Sequence, residues 1–98
     1  MGNLHRATHN LEAAKRVYLE ALGIIRKLAE KNPNTFLPDL AMTLINFSIF
    51  YTEGTIDKTA SLTLVEEAIE ILHQCTPTPT VQQYLQTSQQ IKHFWEEQ

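Results

Sequence analysis

Cysteine is all but missing from this chain. Cys75 stands alone among 98 residues, so no intrachain disulfide and no thiolate metal site can form. A reducing compartment suits such a chain, and the expected location is cytoplasmic. Basic charge is scarce too. Eight Lys and Arg against eleven Asp and Glu leave a net charge of -3, with no field to draw in a phosphate backbone, so nucleic acid is not an expected partner. Long apolar runs are lacking. The longest, over residues 44–51, is interrupted by Asn46 and Ser48 and falls far below the ~20 residues of a bilayer span. The first residues lack the basic start and apolar core of a signal peptide, and no membrane partner is expected.

Catalytic signatures are also wanting. No serine or cysteine sits in a nucleophile elbow, no glycine-rich loop could cradle a phosphate, and Glu66, Glu67 and Glu70 are placed on the wet side of a helix. His5 and His9 are four apart and, with Glu12, could approach a metal ion on one continuous helix. Asn10 is expected to begin a new helix and break that alignment. The chain is therefore expected not to be an enzyme, and no cofactor is expected.

What is present is helical. Only three Gly and four Pro, with 43% apolar and 19% charged residues, fit one globular helical domain rather than a disordered segment. A domain of this size buries only about two-thirds of its unfolded surface. Apolar residues recur as Leu11, Ala14, Tyr18, Ala21, Leu22, Ile25, Leu28 and Ala29, a stripe sustained over five helical turns. Asn10 is a candidate cap for its start, and Asn32-Pro33 stops it, with the turn expected over 32–35. Glu12, Arg16, Glu20, Arg26 and Glu30 mark the opposite face, in pairs four apart.

A second helix is expected over 36–52, with Pro38 in its first turn and Gly54 ending it. Asp57 can cap a third, whose stripe of Ala60, Leu64, Val65, Ala68, Ile69 and Leu72 closes near Cys75. Thr78 with Pro79 opens a final helix to about residue 97, with Val81, Tyr84, Leu85, Ser88, Ile91, Phe94 and Trp95 as its apolar side. Residues 2–8 look like the last turns of a helix whose beginning is missing.

One segment is more specific than the rest. Leu44-x-x-Phe47-Ser48-x-x-Tyr51 is followed, across the turn at Gly54, by Ala60, Val65 and Ala68. A large residue, an apolar one, a small one beside it and an aromatic one turn later, then small residues on the next helix, describe two closely packed antiparallel helices. Gly2-x-x-His5 and then Ala14, Tyr18 and Ala21 repeat part of that pattern. The chain resembles the tetratricopeptide repeat family, in its long-helix bacterial form. The resemblance implies an all-α fold of antiparallel helical hairpins stacked as a short α-solenoid. It divides the single domain, 1–98, into a partial first unit (1–35), a second unit (36–77) and a final capping helix (78–98). A first unit beginning at Gly2 implies a truncated array. Ala68 lies one place late for the family pattern, so the turn at Gly54 is expected to hold an extra residue, with Ser61, Val65 and Ala68 in the packing roles.

The resemblance also implies what the protein does. Such scaffolds bind a protein partner, as an extended peptide or a helix, along a concave groove lined by the first helix of each unit. Here the groove residues are expected to be Asn3, Arg6, Met42, Ile45, Asn46, Ile49 and Thr52. Met42, Ile45 and Ile49 share a face distinct from the stripe of Leu40, Leu44, Phe47 and Tyr51. That face has three alternative covers: the final helix through Tyr84, Ser88 and Ile91, a partner peptide, or a second copy of the chain. The family's chaperone-tail binders use groove lysines, and Met42, Ile45 and Ile49 stand where those would be wanted. The alternative to a binding groove is an architectural, self-associating segment of a larger protein.

Overall fold

The computed structural model describes the backbone of residues 2–98 and the side chains of residues 11–98. Four helices follow one another: α1 (Gly2–Lys31), α2 (Pro33–Glu53), α3 (Lys58–Gln74) and α4 (Pro79–Glu96). The chain is all-α, with no strand among the described residues. At 1.5 Å per residue α1 is about 45 Å long, and it accounts for the longest dimension of 48 Å. α2 is the hub, since α1, α3 and α4 all pack on it, while α4 also packs on α3.

The first helix departs from expectation. It runs unbroken through Asn10, so residues 2–8 do not form a separate helix and the hairpin expected within the first unit does not form. Thr8, His9 and Asn10 include neither proline nor glycine, and an asparagine inside a helix costs only about 0.7 kcal/mol against alanine. The side chains of Asn3, His5, Arg6 and His9 lie outside the described residues. The break between α1 and α2 is also tighter than expected. Asn32 alone separates them, and its carbonyl accepts from the amides of Thr35 and Phe36. α2 therefore starts at Pro33, which makes Pro38 its sixth residue rather than part of its first turn. The proline leaves the carbonyl of Asn34 without its helical donor, at a position where Asn34 is exposed.

α1 meets α2 through Leu11, Ala14, Tyr18, Leu22, Ile25 and Ala29, spaced by three and four. Ala21 is exposed, contrary to its expected packing role, because it lies to one side of that line. Tyr18 is the centre of the contact, stacked on Phe47 at 5.2 Å and tilted against Phe50 at 5.7 Å. The sequence pattern places Arg26 on the outer face. It instead reaches α3, donating to both carboxylate oxygens of Glu67 at 2.5 and 2.9 Å. Glu67 is correspondingly half-buried rather than on the wet side. The bond to Glu67 raises the Arg26 pKa above its ordinary value, and the nearby negative charge adds to the effect against a smaller opposing cost of burial.

The α2–α3 hairpin agrees closely with the sequence. Asp57 caps α3 by accepting from the amide of Ala60 at 3.1 Å, and Thr78 caps α4 by accepting from that of Val81 at 3.1 Å. Such caps contribute about 1 kcal/mol each. Leu44, Ser48, Ser61, Val65 and Ala68 are completely buried. Ser48 and Ser61 do more than permit close approach. The Ser48 hydroxyl donates to the Ser61 carbonyl at 2.8 Å, and the Ser61 hydroxyl returns a bond to the Ser48 carbonyl at 3.0 Å. The indole N–H of buried Trp95 then donates to Ser61 Oγ at 2.8 Å, tying α4 into the same knot.

Candidate functional site

Every side of α2 but one is covered. Its sequence places Phe47 and Phe50 toward α1, and Leu44, Ser48 and Tyr51 in the interior. The remaining stripe runs through Asp39, Met42, Asn46, Ile49 and Glu53, at steps of three and four residues. Asp39, Met42, Asn46 and Glu53 are exposed and Ile49 is half-buried. Of this strip, Asn46, Ile49 and Glu53 line an open cavity.

The expected groove residues divide along it. Ile45 is buried, so it is not presented on the surface. Met42 is exposed, with the Tyr84 hydroxyl of α4 on its sulfur at 3.3 Å. That contact is part of the cover expected from the final helix, whose Ser88 and Ile91 are buried. Thr52 is half-buried, and its hydroxyl donates to the Ile49 carbonyl at 2.7 Å. Asn46 and Ile49 come together at the open end, beside a cavity of about 440 Å³. Asn3 and Arg6 lie outside the described side chains. The final helix thus closes one end of the face and leaves the other open.

The cavity is built by the α1–α2 junction. α1 contributes Leu11, Ala14 and Tyr18, and α2 contributes Asn46, Ile49, Phe50 and Glu53. Gly54 completes it. The backbone at Gly54 has a φ of -87°, so a left-handed turn is not why glycine stands there. The reason is proximity: a Cβ at Gly54 would come within 2.6 Å of Leu11 Cδ2 and 3.2 Å of the Phe50 ring. Gly54 ends α2 as expected, at a site of close approach.

The chemistry of this wall is apolar with two polar handles, the Asn46 amide and the Glu53 carboxylate. It suits an apolar group flanked by a donor or a cation. A smaller cavity, of about 230 Å³, lies where Pro33, Asn34 and Pro38 meet Cys75, Thr76 and Val81. Partial burial there raises the Cys75 thiol pKa. Among the described residues no group of three or more His, Cys, Asp and Glu gathers to hold a metal, and no helix is long and apolar enough to cross a membrane. Sequence reasoning missed Leu11, Tyr18, Phe50 and Glu53 as cavity residues. Leu11, Tyr18 and Phe50 read as core in any helical pattern, and the opening depends on how two helices diverge. Compared with family models, with curated proteins and with solved structures, the chain matches none.

Proposed function

We propose that the chain is a non-catalytic protein-interaction scaffold of the tetratricopeptide type, a short α-solenoid in which α2 and α3 are one complete hairpin unit. In this reading α4 is the capping helix and α1 is the second helix of the preceding unit. The packing of α2 on α3 through Ser48, Ser61 and Ala68, with α4 against both, supports it. The observation that carries the functional part is the open strip at Asn46 and Ile49, bordered by an apolar cavity with Glu53 on its rim.

The guest is a peptide segment, extended or helical, that lays an aliphatic or aromatic side chain into the cavity and a Lys or Arg beside Glu53. Selection of a displayed peptide library against the full chain tests this. Enrichment of an apolar residue next to a basic one is the expected outcome. Asn46→Trp is an exposed substitution that fills the cavity, and it should abolish binding while the helical signal is retained. Glu53→Lys should turn the preference toward acidic neighbours. No enrichment, or binding indifferent to both substitutions, would refute the proposal.

A further inference from the structure

α1 has two apolar faces, and among the described residues only one is packed within the chain. The second is the stripe Val17, Ala21, Ile24 and Leu28, at steps of four, three and four residues. Val17 and Ile24 are each 63% exposed. Scattered surface leucines are ordinary, but a stripe at coiled-coil spacing is a seam without a partner. It lies on the flank of α1 opposite Arg26, which faces Glu67 of α3, so it points away from that helix.

We propose that a second copy of this chain covers the stripe, the two α1 helices lying antiparallel about a two-fold axis that passes between Ala21 and Ile24. Charge decides both occupant and direction. Glu20 and Lys27 border the stripe on its outer edge, seven residues apart and both exposed. In the antiparallel register Val17 layers on the partner's Leu28 and Ala21 on the partner's Ile24. Glu20 then meets the partner's Lys27, while Lys27 meets the partner's Glu20. One sequence supplies both halves of two ion pairs, as an isologous interface requires. A parallel pairing sets Glu20 beside the partner's Ile25 and satisfies neither charge.

Ala21 at the central layers lets the helix axes approach closely. The surface beside it dips over Gly23, where nothing lies within 4 Å of a Cβ position, between Glu20 and Lys27. Tyr18 and Ile25 border the stripe on the α2 side, so the second copy comes to lie along the open strip of α2. Dimer and guest then compete for one space. The dimer itself depends only on α1 and stands whether or not the groove takes a peptide.

Sedimentation equilibrium of the full chain, from micromolar to millimolar concentration, tests the pairing. A reversible monomer–dimer equilibrium is expected, because a seam of two heptads is a small interface. Ile24→Asp and Val17→Asp alter exposed positions, so each should abolish the dimer with the circular dichroism unchanged. Glu20→Lys alone and Lys27→Glu alone place like charges together and should each weaken the dimer about five- to ten-fold. The double variant E20K/K27E should restore it. A chain monomeric at millimolar concentration overturns the proposal and leaves the stripe to a helix of a different protein. So does a dimer that survives Ile24→Asp, or a double charge swap no tighter than the single ones.

Discussion

The buried knot of Ser48, Ser61 and Trp95 makes the sharpest prediction, because its three members are chemically unequal. Ser61 is the hub: its hydroxyl gives a proton to the Ser48 carbonyl and accepts one from the Trp95 indole. Ser61→Ala therefore removes a bond worth about 1 kcal/mol and also strands the indole N–H, which at 5% exposure has little access to water. The stranded donor adds about 1–3 kcal/mol, for a total near 2–4 kcal/mol. In a domain of this length that lowers Tm by roughly 10–20 °C. Ser48→Ala loses the donation to the Ser61 carbonyl and the 2.8 Å contact between the two hydroxyls, but the Ser61 hydroxyl keeps the Ser48 carbonyl as its acceptor, so no donor is orphaned and the cost should be about 1 kcal/mol. Urea unfolding followed by circular dichroism measures both, and a double-mutant cycle isolates the hub. In a Trp95→Phe background there is no N–H to strand, so Ser61→Ala should cost at least about 1 kcal/mol less than in the native chain. Equal costs for the two serines, or an additive cycle, would refute this assignment of protons.

Tyr18→Ala should destabilise the chain by about 2–3 kcal/mol, below the full range for a buried aromatic because Tyr18 is only half-buried; amide exchange in α1 should accelerate more than in α3. Glu67→Gln should cost less than about 1 kcal/mol and the loss should shrink in high salt, since both partners of the pair are a third or more exposed; a larger, salt-independent loss would contradict the geometry. The raised Arg26 pKa places its share of stability below the guanidinium range, to be lost only as pH rises through that range, so melting across neutral pH should be flat on this account. Burial raises the Cys75 thiol, so iodoacetamide should alkylate the folded chain more slowly than the urea-unfolded chain at one pH, and equal rates would count against it.

The parts of the fold that local chemistry determines could be read from the residues. Asp57 and Thr78 cap helices because a short oxygen-bearing side chain there reaches an amide three residues on, a relation contained within a few positions of sequence. Ser61, Val65 and Ala68 could be placed at the α2–α3 contact because helical periodicity fixes which positions share a face. Asn10 misled for the complementary reason: a capping residue is only a permitted start, and without a proline or glycine the helix continues. Trp95 was legible as a hydrophobic seal but not as a hydrogen-bond donor, since its acceptor is 34 residues away. Arg26 and Glu67, 41 residues apart, pair for reasons equally invisible to local spacing. The exposed face of α2 was partly legible. Periodicity placed Met42, Ile45 and Ile49 on one face, of which Met42 is exposed, Ile49 half-buried and Ile45 buried, and that burial and the opening beside Tyr18 depend on the placement of α4 and α1.

The unequal fastening of the helices bears on how a guest would act. α3 is bonded to α2 through the fully buried Ser48 and Ser61, and α4 is bonded to α3 through the Trp95 indole on Ser61. α1 is held to α2 by apolar contact centred on one aromatic, and to α3 by one half-exposed ion pair. The first is the polar-bonded unit and α1 the apolar-packed arm, a distinction in the kind of contact and not in how extensively they pack. The cavity lies at the seam between them, with Leu11, Ala14 and Tyr18 on the arm and Ile49 and Phe50 on the unit. A guest filling it touches both, so its binding energy is realised only when the arm is docked. By linkage, the guest then stabilises the docked arm by the amount that undocking weakens the guest. The same reasoning applies to a second copy at the Val17 stripe, which rests on the same arm. The contact of α1 with Phe47 and Phe50 is thus the one to which the binding of either occupant would be coupled.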